Sequence, residues 1–304
     1  MKTGPILVTG SRGFLASHLA ARLKRDYPGA RLELVDHKPQ PGHAVCDLLD
    51  PRAVAALLRR VRPALIFHLA GTTRPLDWQG LWSAHVEATV RLLDAVRAAK
   101  LTATNLWCIG SAAEYGDTSK RKPATEDTAP QPLSAYGSTK LSQTLAALSY
   151  RHQGIKVSVA RVFNVSGPGM PAHLSLSSFA KQISQIEHGL QEPSLRVGNL
   201  APRRDYVDAR DVARALSLLA CLPSPAPLYN VCSGRLHPIS VLLKTLLASS
   251  ERKIELVQDP VRWRKADARE CRGSHALLTK HTGWRPEISL RQSLADTLDW
   301  YRSP

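Results

Sequence analysis

The sequence predicts an α/β fold: a doubly wound parallel sheet with helices on both faces, followed by a smaller C-terminal α/β substrate-binding domain. Three observations carry this. Short apolar runs alternate with amphipathic helical stretches from the start of the chain, a glycine-rich turn joins the first run to the first helical stretch, and the regularity fades beyond Asn164. An apolar run without in/out alternation marks a strand buried on both faces, which requires helices above and below the sheet.

In order, PILVTG reads as a buried first strand, residues 14–27 as a helix and RLELVD as the second strand. PRAVAALLRRV is helical, ALIFHLAG is a strand, residues 81–99 form a helix and NLWCIGS a further strand. A long helix over residues 134–152 then leads into the strand KVSVARVFN. Proline and glycine punctuate the remainder of the chain, with short strands in LRVG, PLYNVCSG and IELVQDP and helices near 175–189 and 238–249. The expected division is a dinucleotide-binding domain over residues 1–164 and a mainly substrate-binding domain over 165–304, with segments returning to pack on the first.

At 43% hydrophobic and 22% charged, the 304 residues lie in the ordinary globular range. No apolar run is long enough to span a bilayer, and the apolar start of the chain runs straight into a glycine turn rather than a cleavage site. Five scattered cysteines, with no CxxC pair, suggest neither zinc nor a disulfide framework and point to a reducing cytoplasm. The net charge of +16 raises nucleic acid as a partner, but the basic residues are spread along the chain, and an anionic dinucleotide and substrate are a sufficient reason for the excess. Neither nucleic acid nor membrane is expected as a partner, and no metal.

The segment Thr9-Gly10-Ser11-Arg12-Gly13-Phe14-Leu15-Ala16 lies between strand and helix. Gly10 permits a tight turn, Gly13 lets backbone approach a pyrophosphate at the helix N-terminus, and Ala16 stands where close helix–sheet packing still admits a methyl group. This is the signature of a Rossmann-type nucleotide site. Asp36, at the end of the second strand, suits the two ribose hydroxyls of NAD, whereas Arg12, His37 and Lys38 would suit the 2′-phosphate of NADP, so NAD and NADP both stay open. Asp47, in CDLLD, is a candidate for the adenine amino group, and HLAG, ending at Leu69, Ala70 and Gly71, leaves room for cofactor.

Tyr136 and Lys140 are four residues apart on the long helix, hence on one face. A neighbouring ammonium favours a phenolate, which would let Tyr136 exchange a proton near neutral pH. Ser111, ending the strand NLWCIGS, would hydrogen-bond the reacting oxygen.

The segments TGSRGFLA, CDLLD, HLAG, GSAAEYG, SAYGSTK and RVFNVSGPG together resemble the extended short-chain dehydrogenases/reductases, the NAD-dependent epimerase/dehydratase family acting on nucleotide sugars. SSFAKQISQIEHG, VGNLAPRRDYVDARDVARA, LYNVCSG, VQDPVRWR and TGWRPEISLRQSLADTL are similar to the branch of GDP-mannose 4,6-dehydratases and GDP-4-keto-6-deoxy-D-mannose reductases. The resemblance implies hydride transfer with Ser111, Tyr136 and Lys140 as the catalytic residues. It implies a cofactor lined by Gly10, Arg12, Gly13, Phe14, Leu15, Asp36, Asp47, Leu48, Leu69, Ala70, Gly71, Tyr136, Lys140 and Val162. It also implies a substrate bordered by Ser111, Ala112, Arg161 and Asn164, with Arg204 on the nucleotide and Arg262, assisted by Arg264, on the diphosphate.

Dehydratases of that branch place a glutamate two residues after the serine or threonine to remove the sugar C5 proton. Here Ala113 stands there and Glu114 follows one residue late, a position better suited to a structural role. Reduction needs no such base, so the resemblance implies reduction of GDP-4-keto-6-deoxy-D-mannose to GDP-D-rhamnose. A nucleotide-sugar 4-epimerase with tightly held NAD is the near alternative, and a non-catalytic dinucleotide-binding regulator the distant one. His85, Ala88, Val162, Val165 and Met170 depart from the family's usual residues around cofactor and sugar. A homodimer through the Tyr136 helix and the helix from residue 81 is expected by the same analogy.

Overall fold

The computed structural model describes residues 4–120, 122–262 and 268–303. Its first half alternates strands and helices as the apolar pattern requires. Strand β1 (Ile6–Thr9), buried along its whole length, leads through the glycine turn into α1 (Phe14–Asp26), β2 (Leu32–Asp36) and the short β3 (Ala44–Val45). Helix α2 (Pro51–Val61) starts where the Asp50 carboxylate accepts the amides of Arg52 and Ala53 and proline fills the first turn. It is followed by β4 (Leu65–His68).

The next helical run is interrupted. It comprises α3 (Trp78–Trp82), a π turn over Ser83–Glu87, and α4 (Ala88–Ala98), where the sequence predicts one plain helix. After β5 (Asn105–Ser111), α5 (Ala135–Ser149) is capped by the Ser134 hydroxyl, which accepts the Gly137 amide at 3.1 Å. Strand β6 (Lys156–Val162) completes the regular half.

The remaining elements are β7 (Asn164–Ser166), α6 (Ser175–Glu187), β8 (Ser194–Val197), β9 (Arg203–Asp208) and α7 (Ala209–Leu219). Then come β10 (Leu228–Val231), β11 (Leu236–Pro238), α8 (Ile239–Leu247), β12 (Glu255–Gln258), β13 (Glu270–Cys271), α9 (Ala276–Thr282) and α10 (Leu290–Arg302).

The main sheet has seven strands, all parallel, in the order β10-β6-β5-β4-β1-β2-β3. Read from the β3 edge this is the doubly wound order of dinucleotide-binding sheets, whose direction reverses between β1 and β4. One face packs Leu57, Leu58, Leu92, Leu93 and Val96 of α2 and α4 on the sheet. The other packs Leu19, Leu23, Val212 and Leu216 of α1 and α7. The seventh strand and α7 come from beyond residue 164, so the second half contributes to the first sheet as well as standing apart from it.

The smaller part surrounds a third core that joins Phe179, Ile183, Leu242, Leu246, Leu294 and Leu298 of α6, α8 and α10. It carries two small sheets, β8 with β12, and β9 with β7, β11 and β13. The buried Asp205 carboxylate ties this part together. It accepts the Ser233 amide (2.8 Å), the Ser233 hydroxyl (2.6 Å) and the amides of Gly234 (2.9 Å) and Gly273 (3.2 Å).

Candidate active site

The site lies at the C-terminal edge of the main sheet, where neighbouring connections diverge and leave a crevice. Gly10 follows β1 with a φ of +67°, and a Cβ there would meet the Ala70 backbone nitrogen at 2.6 Å. Only glycine satisfies both conditions. Gly13 begins α1 without any side-chain cap, which leaves the first amides of that helix without a side-chain acceptor and suited to an anion.

The Asp36 carboxylate accepts the Arg12 amide and the Lys38 amide, each at 3.2 Å, and His37 Nδ1 stands 3.1 Å from it. Arg12 itself reaches Gln40 (3.2 Å) and Ser11 bonds His43 (2.7 Å). A carboxylate and basic side chains therefore share the end of β2. Together the glycine turn, the uncapped helix start and this carboxylate fit a dinucleotide: pyrophosphate on the α1 amides, adenosine ribose beside Asp36.

Other expected cofactor residues divide. Leu69, Ala70 and Gly71 follow β4 at the crevice, and Phe14 and Leu15 open α1, partly buried against neighbouring cores. Leu48 and Val162 place their side chains inside the cores on the two faces of the main sheet. Asp47 is exposed and accepts the Leu49 amide at 2.9 Å, a turn-forming bond.

The end of β5 delivers Ser111, whose hydroxyl accepts the Ala113 amide (3.2 Å) and stands close enough to the Tyr136 phenol to favour its ionised form. Burial raises the Tyr136 phenol above its ordinary value, and the Ser111 hydroxyl opposes that rise. Lys140, one turn along α5, donates to the Ile109 carbonyl and to Gln143 Oε1. Burial pushes its amine down to about 8, with the Glu114 charge opposing. This corrects the expected pairing. Two of the Lys140 ammonium's three donors go to those acceptors rather than to Tyr136, and the phenol is shifted up rather than down.

Glu114 is fully buried. It accepts the Ser111 amide at 2.7 Å and pairs with Arg161 Nε at 2.6 Å, while the Arg161 guanidinium stacks 4.6 Å from the Tyr115 ring centroid. Burial raises the Glu114 carboxyl, moderated by Arg161. Arg161, expected at the sugar, is thus a core partner of Glu114 with 4% exposure. Ala112 is buried in the same small core as Tyr115 and Phe163.

His85 was legible only as a departure from a familiar pattern. It sits in the π turn with 1% exposure, its ring edge-on to Tyr136 at 5.4 Å. Its nitrogens reach Thr139 Oγ1 (2.9 Å) and the Thr72 carbonyl (3.0 Å), so it ties the loop after β4 to the helix carrying Tyr136.

Of the expected substrate residues, Asn164 donates to the Asp205 carbonyl (3.1 Å) and Arg204 to the Arg203 carbonyl (3.0 Å). Arg262 is exposed, donating to Ser178 (2.9 Å) and pairing with Asp259 (3.2 Å). Arg264 lies outside the described residues. Arg262 lines a cavity of about 580 Å³ whose other basic walls, Lys181 of α6 and Arg196 of β8, escaped the sequence reading. Period-two alternation could have found Arg196, since Leu195 and Val197 are buried on either side of it.

The model of the NAD dependent epimerase/dehydratase family matches residues 6–232. A GDP-6-deoxy-D-mannose reductase of Pseudomonas aeruginosa is 35% identical, over 98% of this chain and 97% of that protein. The structure of RMD from Pseudomonas aeruginosa complexed with NADPH superposes with a TM-score of 0.88 at 33% identity, covering 99% of both chains. The UDP-glucose 4-epimerase of Thermus thermophilus, in complex with NAD, gives a TM-score of 0.86 at 25% identity, covering 98% of this chain and 99% of that one.

Proposed function

Because this chain belongs to the NAD dependent epimerase/dehydratase family, we propose that it reduces the 4-keto group of a GDP-4-keto-6-deoxy-hexose, turning GDP-4-keto-6-deoxy-D-mannose into GDP-D-rhamnose. One observation carries reduction over dehydration: Glu114, the carboxylate of the Ser111 segment, is buried and committed to the Ser111 amide and Arg161, while Ala113 offers only a methyl group. Sugar dehydration requires a base at that place, and reduction does not.

The α1 amides and Asp36 would hold NADH or NADPH, which when bound would supply the hydride. Tyr136 gives the matching proton to the carbonyl oxygen, and Ser111 holds that oxygen by a hydrogen bond. Lys140, held by the Ile109 carbonyl and Gln143, would orient a ribose hydroxyl with its remaining N–H. The cavity lined by Lys181, Arg196 and Arg262 supports a distal diphosphate, since two arginines present planar donor forks to phosphate oxygens.

Purified protein with GDP-4-keto-6-deoxy-D-mannose and either NADPH or NADH is expected to consume reduced cofactor and form GDP-D-rhamnose, followed by absorbance and product identification. No consumption would sink the reductase and favour a 4-epimerase on another nucleotide sugar. The same assay reads the β2 terminus. Asp36→Asn removes the anionic ribose acceptor, so the NADPH-to-NADH ratio of kcat/KM should rise by about tenfold or more, the worth of one charge-assisted hydrogen bond. An unchanged ratio would detach Asp36 from cofactor choice.

The working form is read as a homodimer. Trp82 and Leu145, 38% and 61% exposed, leave apolar surface on the helices after β4 and β5. A monomeric sedimentation profile at assay concentration would remove that reading.

A further inference from the structure

A continuous chain of buried polar side chains runs from Lys140 of α5 through α4 and β4 to the end of β1, and beyond Lys140 the reduction step does not use it. Its further members are Gln143, Thr89, His68 and Thr9, none more than 1% exposed. Gln143 Nε2 meets Thr89 Oγ1 at 2.8 Å, His68 Nε2 meets the same oxygen at 2.9 Å, and His68 Nδ1 meets Thr9 Oγ1 at 2.8 Å.

Donor counting gives this chain one direction. An ammonium has no acceptor, so the Gln143 atom facing Lys140 is its carbonyl oxygen and the amide nitrogen faces Thr89. Thr89 uses its only proton on the His85 carbonyl at 2.6 Å, so it accepts from both Gln143 and His68. His68 therefore carries its proton on Nε2 and receives the Thr9 hydroxyl on Nδ1. Burial holds this imidazole neutral by pushing it down to about 3.

We propose that Gln143 is a positioning residue for Lys140, itself held by Thr89 and His68, and that it fixes the amine so that one N–H remains for an incoming hydroxyl. An ammonium has three donors. Gln143 and the Ile109 carbonyl take two of them. The functional meaning rests on Lys140 acting in the reduction proposed above. The charged and titratable groups around it are Glu114 behind β5, Cys108 on β5, His68 on β4, His85 in the π turn and Tyr136 one turn back on α5. Gln143 adds a neutral acceptor to that set. Replacing it by a carboxylate, or by an apolar side chain of similar length, moves the proton affinity of Lys140 in opposite directions.

The test acetylates the full-length protein with trace acetic anhydride from neutral to alkaline pH and quantifies the Lys140 peptide by mass spectrometry. The parent should show a labelling midpoint near about 8. Gln143→Glu should raise the midpoint, so that labelling at the parent's midpoint falls about fivefold for the first unit moved. Gln143→Met should lower the midpoint, with labelling on the acidic side rising about threefold for half a unit. A midpoint unchanged in either folded variant overturns the proposal. Should Gln143→Glu not fold, Gln143→Met decides alone. Acetylation needs no sugar substrate, so an enzyme inactive on the 4-keto sugar would refute the reductase reading and leave this result standing.

Discussion

Tyr136→Phe is expected to lower kcat by about 10²- to 10⁴-fold, the range for losing a positioned general acid. The ring stays edge-on to His85, so packing is kept and only the hydroxyl beside Ser111 is removed. Cofactor affinity, measured by quenching of intrinsic fluorescence, should stay within about twofold, because a uniform binding contribution is not what the phenol supplies. A parallel loss of cofactor affinity and turnover would make Tyr136 a binding residue. The pH dependence has a definite sign. Burial raises the phenol, so the protonated donor is present at neutral pH and reduction should decline only as alkaline pH removes its proton. Decline on the acid side would contradict Tyr136 as donor.

Arg161→Met should be the most damaging change to stability outside the chemistry. It leaves Glu114 with no exposure and without its cation. Breaking one side of such a pair costs about 3–5 kcal/mol, which for a chain of this size lowers Tm by on the order of 10 °C. The proton linkage follows from the direction of the Glu114 shift. Its folded carboxyl lies above the unfolded value near ~4.3, so the folded state binds the extra proton between the two. Stability from this group falls as pH rises through that window. Losing Arg161 raises the folded value further, so the variant's deficit should be larger at neutral pH than at mildly acidic pH. Differential scanning calorimetry at the two pH values checks this, and an equal deficit at both would mean the pair is not what is lost. Glu114→Gln combined with Arg161→Met should recover part of the loss.

Local patterns made much of this legible. The apolar runs gave the strands and the glycine turn gave the nucleotide crevice, because a buried parallel strand and a tight turn each constrain the residues that form them. The sequence is silent where a residue's surroundings depend on what lies across space. Arg161 sits within a motif and carries a charge, which suggests a ligand, but along the chain nothing reveals that Glu114 is folded against it. Leu48 and Val162 are adjacent to cofactor-bearing segments while their side chains turn into the cores. Gln143 reads as one more polar residue on a helix until α4 and β4 pack beside it.

By itself, therefore, the sequence determined the doubly wound sheet, the glycine turn after its first strand, and Tyr136 and Lys140 one turn apart on one helix, since period and spacing are properties of the chain. Only the tertiary structure decided which polar groups come together: Glu114 with Arg161 and Lys140 with Gln143 in the interior, His85 against Tyr136, and Lys181 with Arg196 and Arg262 around one open cavity. Burial is what turns a charge into a structural tie, or a carboxamide into a constraint on an amine, and burial exists only once distant segments have packed.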